Sequence, residues 1–211
     1  MSTVVVYVHG LWLNGWESLL LRRRLARQLK CAALSFGYSS VSLAVRENAR
    51  ALAAFLARTR ADTLHLVGHS MGGLVILELF DSAAGSALPP GRIVLLGSPV
   101  RGSRSARNLS RLPFGRRFLG LTAHEVLLPE RERRWTGTRD LGVIAGNVPL
   151  GAGRLLGRFV APSDGTVLVE ETHLPGATQH LTLRTTHSGM VYSPLVARQT
   201  AAFLRDGRFA L

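Results

Sequence analysis

A serine with glycine two residues to either side, in Gly68-His69-Ser70-Met71-Gly72, lies between the apolar runs Thr63–Val67 and Leu74–Leu77. A serine between a strand and a helix sits on a sharp, strained turn, and the flanking glycines let the two backbones pass closely. Its hydroxyl is then held out as a nucleophile for acyl transfer. Near the start, the apolar run Val4–Val8 leads into His9-Gly10-Leu11-Trp12. Gly10 allows a turn that can aim the N–H of Leu11 at a developing oxyanion, and the N–H of Met71, at the start of the helix after Ser70, is a second donor. Read alone, His-Gly is a strand-to-loop turn; beside the serine turn it becomes half of a site.

Such a nucleophile needs a base and an acid from later in the chain, each at the C-terminal end of a strand, where an open parallel sheet carries its site. Of the seven histidines, His9 and His69 belong to the two turns, His65 lies within a strand and His180 opens one. His187 directly follows the run Leu181–Thr185 and is the preferred base, with His173, in a loop, second; His124 has no strand before it. Among the acids, Asp62 and Asp140 stand at strand starts, Asp81 ends the helix after Ser70, and Asp206 falls beyond His187. Asp164, in Pro162-Ser163-Asp164-Gly165-Thr166-Val167, remains, with Glu170 and Glu171 in reserve.

The order Ser70, Asp164, His187, together with His9-Gly10, the turn at Gly68–Gly72, Gly97-Ser98-Pro99 and Thr186-His187-Ser188-Gly189-Met190, resembles the α/β-hydrolase superfamily over nearly the whole chain. Within it the sequence is similar to the small bacterial lipases and esterases that lack a large cap. The resemblance implies ester hydrolysis through an acyl-enzyme, with no cofactor. A thioesterase or another acyl-transfer enzyme is the nearer alternative, and a binding protein that keeps the scaffold without turnover the further one. Trp12, Leu13 and Val100 are placed to line an acyl pocket, with core packing as the alternative for Trp12.

The elements that must position these residues read as strands near 3–8, 41–45, 62–67, 92–97, 141–146 and 180–186, with helical patterns between most of them. This is an α/β pattern: a mostly parallel central sheet of about six strands with helices on both faces. The 211 residues, 46% of them apolar, suffice for one domain spanning 1–211. The stretch 101–139 has no strand pattern and interleaves ten arginines with Leu and Phe. It reads as one or two surface helices or as a lid over the site.

Lys and Arg number 26 against 13 Asp and Glu, a formal charge of +13, and Lys30 is the only lysine. The Trp and Tyr residues are scattered and no nucleic-acid reading element is present, so a solvated basic face is the expectation, with no specific nucleic acid as partner. The charge suits an anionic membrane surface or acidic substrates, and the expected partner is a small-molecule ester or lipid. With Cys31 alone, an internal disulfide and a thiolate zinc site are both excluded, and no metal is implied. Met1-Ser2-Thr3 lacks a positive region and Val4–Val8 is too short for a signal core or membrane span, which points to the cytoplasm unless a leader has been removed.

Overall fold

The computed structural model describes residues 2–85, 87–151 and 161–210. Six strands, β1 (Thr3–Val8), β2 (Ala32–Phe36), β3 (Thr63–His69), β4 (Ile93–Leu96), β5 (Leu141–Gly146) and β6 (Gln179–Leu183), form one sheet in the order β2-β1-β3-β4-β5-β6. Every neighbouring pair is parallel. Among the described residues the α-helices are α1 (Leu19–Leu29), α2 (Val45–Arg58), α3 (Met71–Phe80), α4 (Arg104–Ser110), α5 (Gly115–Val126) and α6 (Pro194–Asp206).

Alternation along each strand divides the core between the two sheet faces. Val4, Val6 and Val8 of β1 join Leu64 and Leu66 of β3 against α2, α3 and α5. Val5 and Tyr7 join Val67, Val94 and Ile144 against Leu21 and Leu25 of α1 and Val196, Ala201 and Phe203 of α6. Helix α2 buries Val45, Ala49, Leu52 and Leu56, one stripe at helical spacing, and the Glu47 carboxylate accepts from the N–H of Ala44 at 2.9 Å to close its first turn. Ser193 caps α6, Pro194 opens it, and Gly207 at φ 74° ends it.

One strand lies elsewhere than the apolar pattern indicated. The run 41–45 is not a strand; the second strand is Ala32–Phe36, at the edge of the sheet beside β1. Val45 belongs instead to the buried stripe of α2, and the carbonyls of Val41 and Leu43 accept from the Leu121 N–H (2.7 Å) and the Thr122 hydroxyl (2.5 Å) of α5. Five alternating residues are compatible with a strand or with a turn feeding a helix, and tertiary partners chose the turn. The stretch 101–139 carries α4 and α5 and no strand, and α5 is kinked at Gly120 (φ 76°, ψ 178°).

Candidate active site

Strand order reverses at β1, with β2 on one side and β3 on the other, and open α/β sheets carry their sites beyond the carboxyl ends of strands at such a point. Val8 of β1 stands opposite Gly68 of β3, so the loop after β1 and the turn after β3 emerge side by side. Ser70 occupies that turn with φ 54° and ψ −125°, a region that costs a non-glycine residue about 1–3 kcal/mol. The close approach depends on absent side chains. A Cβ on Gly72 would lie 2.2 Å from the carbonyl oxygen of Val8, and one on Gly68 would lie 2.6 Å from Cα of Gly73.

The loop after β1 is braced from behind by His9. Its Nε2 accepts from the N–H of Tyr38 at 3.2 Å, so the proton sits on Nδ1, which donates to the carbonyl of Gly10 at 2.8 Å. The Tyr38 hydroxyl donates to the His9 carbonyl at 2.9 Å, and the two rings stack at 4.2 Å. Burial lowers the pKa of His9, in keeping with this neutral tautomer. Because C=O and N–H of a trans peptide point oppositely, drawing the Gly10 carbonyl toward His9 turns the Leu11 N–H to the other side. Among the described residues, neither that N–H nor the Met71 N–H has a hydrogen-bond partner.

His187 and Asp164 meet beyond the ends of β6 and β5. Nδ1 of His187 lies 2.7 Å from Oδ2 of buried Asp164. The other carboxylate oxygen, Oδ1, accepts from the N–H groups of Thr166 (2.9 Å) and Val167 (2.7 Å), within a turn closed by the Asp164 N–H to the Val167 carbonyl. The backbone of His187 is held at both ends. Its N–H donates to the Asp164 carbonyl at 2.9 Å, and its carbonyl accepts from Nε2 of His69 at 3.2 Å. His69 is fully buried, and desolvation together with the neighbouring His187 lowers its pKa to about 3.

Ser70 and His187 open onto one cavity of about 280 Å³, lined on its apolar side by Leu11, Leu13, Ala106, Leu109, Leu119, Leu127 and Val167. Helices α4 and α5 contribute Ala106, Leu109 and Leu119. A larger cleft of about 760 Å³ between α2, α3 and residues 131–133 is crossed by the ion pairs Arg46–Glu78 and Arg133–Asp81 and brings no histidine to a nucleophile.

The model of the alpha/beta hydrolase family matches residues 5–207. The chain belongs to that family. No curated protein matches it in sequence. Among solved structures, this hydrolase is similar to Bacillus licheniformis lipase BlEst2 in its mature form (TM-score 0.72, 19% identity, 95% of this chain and 90% of that one). It is similar to the metagenomic carboxyl esterase MGS0156 (TM-score 0.61, 19% identity, 88% and 64%). A third neighbour is RedJ-thioesterase of Streptomyces coelicolor (TM-score 0.57, 14% identity, 96% and 84%).

Most residues singled out in the sequence converge in this hydrolase. Ser70, His187, Leu11, Trp12 and Leu13 all line the cavity, and Asp164 lies behind His187. Val100 does not line it. In the short turn where its N–H donates to the Ser98 carbonyl at 2.9 Å, Val100 is buried in the core, and Pro99 lines the cavity in its place. Glu171 is turned away from His187, accepting from the N–H groups of Arg104 (2.5 Å) and Leu168 (2.9 Å), and burial raises its pKa. His173 packs beside His180 and does not line the cavity. The bracing roles of His9, His69 and Tyr38 escaped sequence reading. His9 and His69 were visible as members of their turns, but Tyr38 lies 29 residues from its partner with no motif around it.

Proposed function

We propose that the protein is a serine hydrolase of carboxylic esters, acting through an acyl-enzyme. The observation that carries this reading is Ser70, on a strained turn, opening onto the same cavity as a histidine whose far nitrogen is paired with a buried carboxylate. His187 accepts the proton of the Ser70 hydroxyl as the oxygen attacks the ester carbonyl. Asp164 holds the ring with its proton on Nδ1 and stabilises the cation that forms. The N–H groups of Leu11 and Met71 bind the oxyanion, and the proton on His187 then passes to the departing alkoxide. Water, deprotonated by His187, attacks the acyl-enzyme and releases the acid and Ser70. The predominantly apolar wall suits an acyl chain. The lipase BlEst2 and the carboxyl esterase MGS0156, which share the fold, are consistent with an ester substrate.

The test is turnover of p-nitrophenyl esters of increasing acyl length, with labelling by a fluorophosphonate. Ser70→Ala is expected to lower turnover by about five to six orders of magnitude and to abolish labelling while the fold persists. Retention of more than about one per cent of activity would remove Ser70 from the nucleophile's role. Matched oxygen esters and thioesters, run side by side, decide between an esterase and the thioesterase chemistry of RedJ.

A further inference from the structure

The surface beside the cavity mouth combines two properties that rarely coincide on a solvated face. From Arg101 to His124 the chain carries Arg101, Arg104, Arg107, Arg111, Arg116 and Arg117 and no acidic residue. Arg107 pairs with Glu130, but Arg111, Arg116 and Arg117 have no ion-pair partner among the described residues. Interleaved with these three are Leu112, Phe114 and Phe118, exposed at 51%, 84% and 60%. Phe114 is held outward at the start of α5 with φ 61°, an uncommon conformation for so bulky a residue. The patch continues to the cavity: the ring of Phe118 lies 4.6 Å from that of Trp12, whose indole N–H donates to the Phe118 carbonyl at 2.9 Å, and Trp12 lines the cavity.

We propose that Arg111–Phe118 is a docking surface for an anionic lipid interface, which it holds against the mouth of the cavity. Apolar side chains that enter the headgroup region, flanked by arginines that meet anionic headgroups, are what interfacial binding requires. No helix among the described residues is long and apolar enough to cross a membrane. A second copy of the chain is the poorer occupant, because two such faces would bring unpaired arginines together. A polyanion such as nucleic acid would use the arginines and leave the phenylalanine idle. The surface does not depend on the reaction assigned to Ser70, and its test reads binding apart from turnover.

The experiment is flotation of the full chain with vesicles of phosphatidylcholine alone and of equal parts phosphatidylcholine and phosphatidylglycerol. Binding to the mixed vesicles only, weakened by salt, is expected. Arg116→Gln with Arg117→Gln should lower the partition coefficient about 30-fold, since each basic residue near such a surface contributes about a fivefold factor. Phe114→Ser should lower it as well, and both variants should hydrolyse a short soluble ester at the parent rate. Absence of binding by the parent at low salt overturns the proposal, as does equal binding to both vesicles or double-variant binding equal to the parent's. Unchanged binding by Phe114→Ser would reveal a general polyanion site. Dimerisation lost in that variant, without vesicle binding, would assign the face to a second copy.

Discussion

Asp164 has both carboxylate oxygens committed, Oδ1 to the N–H groups of Thr166 and Val167 and Oδ2 to the ring of His187. An amide in its place would present an NH₂ or an oxygen to the same positions. To avoid donor facing donor at Thr166 and Val167, the amide oxygen must take the Oδ1 site. Its NH₂ then faces His187 and forces the proton onto Nε2, where it cannot receive the serine's. Asp164→Asn is therefore expected to lower ester turnover by about 10^4, whereas Glu171→Gln, whose side chain faces Arg104 and Leu168, should leave the chemical step within about tenfold. Steady-state turnover of both purified variants checks this, and a reversed ranking would shift the acid's role to Glu171.

At the scale of the element, the site depends on how closely α3 lies under the end of β1. A methyl group on Gly72 would meet the carbonyl oxygens of Val8 and His9 at 2.2 and 2.4 Å, and these backbone atoms are held in the sheet and by Tyr38. Gly72→Ala should therefore destabilise the fold by about 3 kcal/mol or more, the upper range for overpacking a rigid contact. Gly37→Ala is the control, because the nearest atom to its new Cβ is 3.9 Å away, and it should change stability by about 1 kcal/mol or less. Urea unfolding of the two variants makes the comparison; equal stability would mean that α3 can slide away from β1. The same proximity explains how the turn after β3 and the loop after β1 present Ser70, Leu11 and Met71 together, although Leu11 and Ser70 are far apart in the chain.

Across the whole molecule, several histidines are buried as neutral rings, and this sets the response to acid. Burial, with Arg92 and Arg139 nearby, lowers the pKa of His65 to about 4, and His69 is lowered to about 3. Unfolding returns both toward 6.5, so the unfolded chain binds more protons than the folded one as pH falls below that value. Their contribution is complete above pH 6.5 and is lost progressively as pH falls toward the folded values. Between about pH 7 and 5 the loss should be about 1–2 kcal/mol for each ring. Urea titrations across that window check the slope, which His65→Gln should make shallower by one histidine's share; a flat profile in the parent would contradict the buried neutral rings. The net charge of +13 adds self-repulsion in the same direction once carboxylates protonate.

The sequence by itself determined the features whose physics is local. The continuous apolar run Val4–Val8 set β1, the glycines around Ser70 set the sharp turn, and the helical patterns between strands were visible as such. The position of Asp164 and His187 after successive strands was legible for the same reason, because a parallel sheet aligns its carboxyl ends. Only the tertiary structure decided what depends on partners distant in the chain. It chose Ala32–Phe36 over 41–45 as the edge strand, because the carbonyls of Val41 and Leu43 found donors on α5 and Val45 was claimed by the core. It turned Val100 inward, set Tyr38 behind His9, and placed Phe118 against Trp12. A short apolar run or a lone aromatic has several local conformations of similar free energy, and the contacts that separate them exist only once the sheet has assembled.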